Sequence, residues 1–160
     1  METRTIEISL DTAKRWYEQG GELKEMALGA FSEKELIGDR LPKTWDEYCA
    51  KHGEIGDKIK ASLNTAYMTI NKHIFSDYNQ TQAHIAKMKL HLLRDDYRIG
   101  WVPEWGNYDE PKFSIEMVGN EFTVENYGIT RHFLAFQDEK RANEFLTNFR
   151  ELIEQAGDLI

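Results

Sequence analysis

Cysteine occurs once in this chain of 160 residues, at Cys49, so an intrachain disulfide and a cysteine-based zinc cluster are both excluded. Proline is nearly as scarce. Three prolines, no Ser/Gly-rich stretch and no repeat of fixed period argue against an interdomain linker, a disordered region or a solenoid. Long apolar runs are missing too: nothing approaches the roughly 20 consecutive apolar residues that cross a bilayer, and the polar start Met1-Glu2-Thr3-Arg4-Thr5 lacks the apolar stretch of a secretory signal. These absences predict a soluble, cytoplasmic protein with no membrane partner. Positive charge is also in deficit, 20 Lys and Arg standing against 28 Asp and Glu for a net −8. The deficit is even, with 11 basic against 14 acidic residues in 1–80 and 9 against 14 in 81–160. Such a field disfavours general nucleic-acid binding, though a local basic patch stays possible.

What is present suffices for one domain: 41% apolar residues over this length can build a core without metals or staples. Residues 1–100 read as mainly helical. Residues 3–10 are an imperfect edge strand or extended lead-in. Asp11 is placed to cap a short helix with Ala13, Trp16 and Tyr17, ending at Gly20-Gly21, and a second short helix follows over 22–31. Ser32 with Glu35, and Thr44 with Glu47, have the spacing of capping boxes. Apolar residues then recur every three to four positions over 54–75 (Ile55, Ile59, Leu63, Ala66, Tyr67, Ile70, Ile74), predicting a long helix. After a break at 76–79 comes a second long helix over 81–98, with one stripe of Ala83, Ala86, Leu90, Leu93 and Tyr97 and a neighbouring one of Ile85, Met88 and Leu92. A stripe that wide predicts a helix held between another helix and a sheet.

After Gly100 the period changes from 3.6 to 2. Phe113, Ile115 and Met117 alternate with polar residues, Gly119-Asn120 suits a type II′ turn, and Phe122 and Val124 continue the alternation. Placing Val118 opposite Glu121 sets Met117 against Phe122 and Ile115 against Val124, so the apolar residues share one face. Residues 131–136 read as a third strand of a meander. Asp138 then caps a final amphipathic helix of Ala142, Phe145, Leu146, Phe149, Leu152, Ile153 and Ala156. The expected fold is α+β: a helical N-terminal part packed with a C-terminal antiparallel three-stranded β-meander and a closing helix.

Several runs carry a resemblance: Leu92-Leu93-Arg94-Asp95-Asp96-Tyr97, Gly100-Trp101-Val102-Pro103-Glu104-Trp105, Phe133-Leu134-Ala135-Phe136, and Asn148-Phe149-Arg150-Glu151-Leu152-Ile153. With Ile8-Ser9-Leu10-Asp11-Thr12-Ala13, Trp16-Tyr17 and Leu41-Pro42-Lys43-Thr44-Trp45-Asp46-Glu47-Tyr48-Cys49, they cover most of the chain. The chain resembles a group of small uncharacterised proteins of gut Bacteroidetes and of the phages and mobile elements integrated there. The resemblance implies an origin and carries no site residues.

Four constellations are candidates for function. His84, Lys87, His91, Arg94 and Arg98 lie along one side of the 81–98 helix, where they can meet phosphates or an acidic partner or simply form a solvated face. His84 and His91 are about two turns apart, roughly 10.5 Å, too far to share one metal ion unaided. Tyr97, Trp101, Trp105 and Tyr108 crowd a stretch that also holds Asp95, Asp96, Glu104, Asp109 and Glu110. Aromatic planes beside carboxylates suit a sugar, a base or a cationic peptide, while the plain structural alternative has both tryptophans plugging the helix-to-hairpin junction. Asp95 or Asp96 with Glu104 or a histidine is a formal acid/base pair, but no nucleophile elbow, phosphate loop, zincin or dinucleotide fingerprint accompanies it, and Cys49 reads as a small buried hydrophobe. Finally, Lys112, Ser114, Glu116, Glu121, Thr123 and Glu125 form the polar face of the sheet, whose edges can pair with another chain. The sequence thus points to a non-enzymatic accessory protein acting by protein contacts or self-association, with no cofactor, metal or catalytic residue expected. A nucleic-acid module on the 84–98 stripe and a ligand or sugar site at Trp101 and Trp105 are the alternatives.

Overall fold

The computed structural model describes residues 8–70, 78–126 and 131–160, with the side chains of 64–70 and 158 outside that description. The expected lead-in strand at 3–10 therefore falls mostly outside the described residues, as does the expected helix beyond residue 70; of the expected break at 76–79, residues 76–77 lie outside them, while Tyr78 and Asn79 already belong to the following helix. The chain begins with α1 (Leu10–Gln19), capped by Ser9 and not by Asp11. Ser9 has the extended backbone a cap requires, and its hydroxyl accepts from the Thr12 N–H, leaving Asp11 in the first turn where the helix dipole favours a carboxylate. Gly20, at φ 77°, ends α1 and leads directly into α2 (Gly21–Ala30).

The Ser32–Glu35 capping box opens α3 (Glu33–Ile37) with both of its reciprocal bonds. The Thr44 box is half formed. Thr44 accepts from Glu47 N at the start of α4 (Trp45–His52), but the Glu47 carboxylate turns to Lys43 N at 2.7 Å and to Arg40 Nη2 at 2.8 Å, because a guanidinium is the stronger donor. Then come α5 (Glu54–Ile70), α6 (Tyr78–Arg98), β1 (Phe113–Val118), β2 (Glu121–Asn126), β3 (Ala135–Phe136) and α7 (Glu139–Ala156), with a 3-10 turn at Gly157–Leu159.

The fold is α+β as expected, and the β1–β2 register is the one the alternation required: Ile115 opposite Val124, Met117 opposite Phe122, Val118 opposite Glu121. Gly119 has φ 67°, which the first corner of a type II′ turn demands. The third strand differs. Only Ala135–Phe136 pairs, and it pairs with β1, so the order is β2-β1-β3 with β1 central and not the sequential order of a meander.

The main core lies between α6, α7 and the inner face of the sheet. Ala86, Leu90, Leu93 and Tyr97 of α6 meet Ala142, Phe145, Leu146, Phe149 and Ile153 of α7, and Ile115, Phe122, Leu134 and Phe136 close the other side. Phe145 is central, its ring 4.8 to 5.1 Å from those of Phe149, Phe136 and Tyr97. Here α7, capped by Asp138, is the helix between helix and sheet, while α6 runs along the sheet's edge. That corrects the expectation for α6: Ile85 is buried, but Met88 faces outward. The apolar face of α5 is rotated as well. Ile55 is exposed, and Gly56 is buried against α4, so close that a Cβ there would lie 2.0 Å from the Cys49 carbonyl oxygen. A second, smaller core of Ala13, Tyr17, Ala27, Leu36 and Ile37 joins α1, α2 and α3.

Candidate functional site

The segment between α6 and β1 decides where the tryptophans go. Ile99 at φ 50° and Gly100 at φ 81° end α6 in left-handed conformations, and a β-branched residue adopts that region only under strain. The chain then folds on itself around two charged residues. Glu110 accepts the Trp101 indole N–H at 2.8 Å and the Glu104 backbone N–H at 2.8 Å, and Lys112 Nζ donates to the carbonyls of Asn107 at 2.8 Å and Glu110 at 3.0 Å. Burial, which raises a carboxyl pKa, is outweighed at Glu110 by those donors and by Lys112, and the group sits below the usual carboxylate range. Lys112 is fully buried and Ser114 likewise, so the polar residues at the start of β1, expected to face solvent, are covered. Sequence alternation cannot see this, because a lysine clamped by carbonyls and a lysine in water read alike. Farther along that face Glu116 Oε1 lies 2.9 Å from His132 Nε2.

The basic stripe of α6 is likewise engaged with the protein. Arg94 is buried: its Nη1 donates to the Phe133 carbonyl at 3.1 Å and its Nε and Nη2 to Asp95 at 3.0 and 2.7 Å. Arg98 Nε donates to the Ala135 carbonyl at 2.9 Å. These two carbonyls alternate with that of Leu134, which turns the other way to accept from Ile115 N. One helical turn thus supplies guanidinium caps for the outer edge of the strand, where a further strand would otherwise add. Lys87 donates to the Leu159 carbonyl and sits over the Phe133 ring, which Arg94 also approaches at 4.9 Å. His91 tilts against the same ring, and His84 lies at the head of the row.

Two constellations that the sequence kept apart meet here. Arg94 and Arg98 from α6, Val102, Pro103 and Trp105 from the loop, and Arg131, His132 and Phe133 from the approach to β3 line a groove of about 460 Å³. On the other side of Phe133 a smaller hollow of about 340 Å³ is lined by His84, Lys87, Met88, His91 and Leu92. Val102, in the wall of the groove, is 79% exposed. Arg98 is the polar centre of the groove: burial, then the neighbouring Arg94, lowers its pKa to about 10. Arg131, His132, Phe133 and Val102 were missed by sequence reasoning, since 131–136 read as strand and nothing in the sequence singled out Val102 as part of a site.

The remaining candidates divide. Tyr97, expected as part of an aromatic surface, is instead fully buried in the main core; its hydroxyl donates to the Pro42 carbonyl and accepts from Asn148, and burial raises its pKa to about 12. It faces the core because it continues the Leu90–Leu93 stripe. Trp101 is half-buried and tied to Glu110, whereas Trp105 reaches the groove and Glu104 is exposed, bonded to Asn107. An acid–histidine pair does form, but between Asp96 and His52 of α4 at 2.9 Å, with Lys51 Nζ 3.1 Å from the other carboxylate oxygen. It ties α4 to α6. The nearby Cys49 is buried and its thiol pKa is raised by that burial, the opposite of an activated nucleophile. Among the described residues no three His, Cys, Asp or Glu side chains converge on a metal position, and no helix is long and apolar enough to cross a membrane.

Comparison with protein-family models, with curated proteins and with solved structures finds no match to this chain.

Proposed function

We propose that the protein is a non-enzymatic accessory protein of a phage or mobile element, working in the cytoplasm through protein–protein contacts made at the Arg98–Trp105 groove. One observation carries this reading: the exposed Val102 and the half-buried Trp105 of the 101–112 loop, Arg98 of α6 and Arg131 on the approach to β3 line one groove. Aromatic and arginine side chains around an exposed aliphatic residue are the composition of protein-contact hot spots. The resemblance to small phage and mobile-element proteins supports the biological setting. A nucleic-acid role has less support, because Lys87, Arg94 and Arg98 all spend donors on backbone carbonyls of this chain. A sugar site is supported by Trp105 alone, Trp101 being held by Glu110.

The test is a photo-crosslinking amino acid placed at position 102, with position 15 on α1 as the remote control, in lysate of the cells that encode the protein. The expected outcome is a discrete protein adduct at 102, absent at 15 and abolished by Trp105→Ala. Absence of any groove-dependent adduct, or turnover of a small molecule by the purified protein, would overturn the proposal.

A further inference from the structure

Arg98 is held in an unusual way. Its Nε is anchored on the Ala135 carbonyl at 2.9 Å and its guanidinium carbon stands 5.6 Å from the centre of the Trp101 ring. Among the described residues Nη1 and Nη2 have no hydrogen-bond partner, and Arg98 makes no ion pair with a carboxylate. Arg131, exposed on the same groove, likewise has no carboxylate partner among the described residues. In a chain with 28 acidic residues against 20 basic ones, two arginines of one groove that lack a carboxylate ion pair among the described residues stand out. The carboxylates closest at hand are committed elsewhere, Asp95 to Arg94 at 2.7 Å and Glu116 beside His132 at 2.9 Å.

We infer that the groove receives an acidic segment of a partner protein, one carboxylate docking on the open end of the Arg98 fork, a second on Arg131, and an apolar side chain between Val102 and Trp105. This rests on the protein-contact reading above and names its partner's chemistry. A planar fork whose third nitrogen is anchored on a carbonyl loses little freedom on binding, and two parallel N–H donors match a carboxylate. Charge complementarity selects the same occupant: the groove is cationic and apolar within an acidic molecule. Two uncommitted cations surrounded by net negative charge give a nucleic acid little counterion release to drive its binding.

The experiment measures fluorescence anisotropy of a labelled dodecapeptide alternating Glu with Leu and Phe, of its Gln counterpart, and of a labelled dodecathymidylate, each against the full chain. The Glu peptide is expected to bind about ten-fold more tightly than the Gln peptide. Arg131→Glu, at an exposed position, is expected to weaken it about ten-fold, Arg98→Lys about five-fold through loss of the fork, and Arg15→Glu on α1 not at all. Equal binding of the Glu and Gln peptides, indifference to Arg131→Glu, or tighter binding of the oligonucleotide would each overturn the inference. If the peptides fail while position 102 still crosslinks to a partner through a segment without carboxylates, the acidic-segment inference falls and the contact reading stands. If crosslinking fails as well, both fall.

Discussion

The two cores of this molecule are held in opposite ways. Around Phe145, α6, α7 and the sheet bury a continuous set of aromatic and aliphatic side chains, and polar groups serve mainly at the margins. The α1–α3 cluster buries two alanines, one tyrosine, one leucine and one isoleucine, and surrounds them with charge. Tyr17 donates to Glu33, and Arg40 pairs with Glu47 at 2.8 Å and Glu18 at 3.4 Å while lying over the Tyr17 ring. Apolar burial of the first kind resists salt and moderate pH; partly exposed ion pairs add little each and are screened. The comparison teaches that the N-terminal helices depend on docking to α4, whereas the C-terminal unit holds itself together.

The largest blow to that contrast is Phe145→Ala, which empties the centre of the main core. A loss of about 4 kcal/mol in chemical denaturation is expected, with both cores melting together because the smaller has lost its platform. Next, Gly56→Ala drives a methyl into the Cys49 carbonyl and must part α4 from α5. It is expected to destabilise by about 3 kcal/mol, with amide-exchange protection falling in α1–α4 while α7 stays protected. Equal loss in both units would erase the distinction. Lys112→Met strips the loop carbonyls of their buried donor, for an expected loss of about 2 kcal/mol and a changed near-ultraviolet signal from the tryptophans, the helical signal being kept.

Ile99→Asn replaces a strained left-handed isoleucine by a residue that tolerates the region. It should stabilise the protein by about 1 kcal/mol in the same denaturation assay. The smallest effect is acid release of the loop. Because the Glu110 carboxyl is depressed in the folded state, its contribution is complete above the unfolded value of about 4.3 and is lost as pH falls through the lower folded value. Indole fluorescence should therefore shift below about pH 4, before α7 loses its helical signal.

The hairpin and α7 were legible in the sequence because each is decided by a local pattern with an internal check: the β1–β2 register must put Ile115, Phe122 and Val124 together, and the i, i+3, i+4 series of α7 has one apolar face. What escaped was set by partners distant in the chain. Glycine at 56 looks like an interruption of a helix until Cys49 is seen against it, and Lys112 looks like a solvent residue until the loop folds back to surround it. The candidate site was half legible for the same reason. The α6 arginines and Trp105 were picked out separately, but nothing in the local pattern of 131–133 says that it runs beside α6 and completes their groove.

The arginine caps on the outer carbonyls at Phe133 and Ala135 give the sheet a direction of growth. One margin is stoppered by side chains that would have to be torn from their ion pair and ring contacts before a strand could enter. At the opposite margin, β2 carries no such cap among the described residues. The edge covered by the arginines in this way offers no row of free carbonyls for another strand to pair with. The same guanidinium that shapes the groove therefore also guards this edge of the sheet against strand addition.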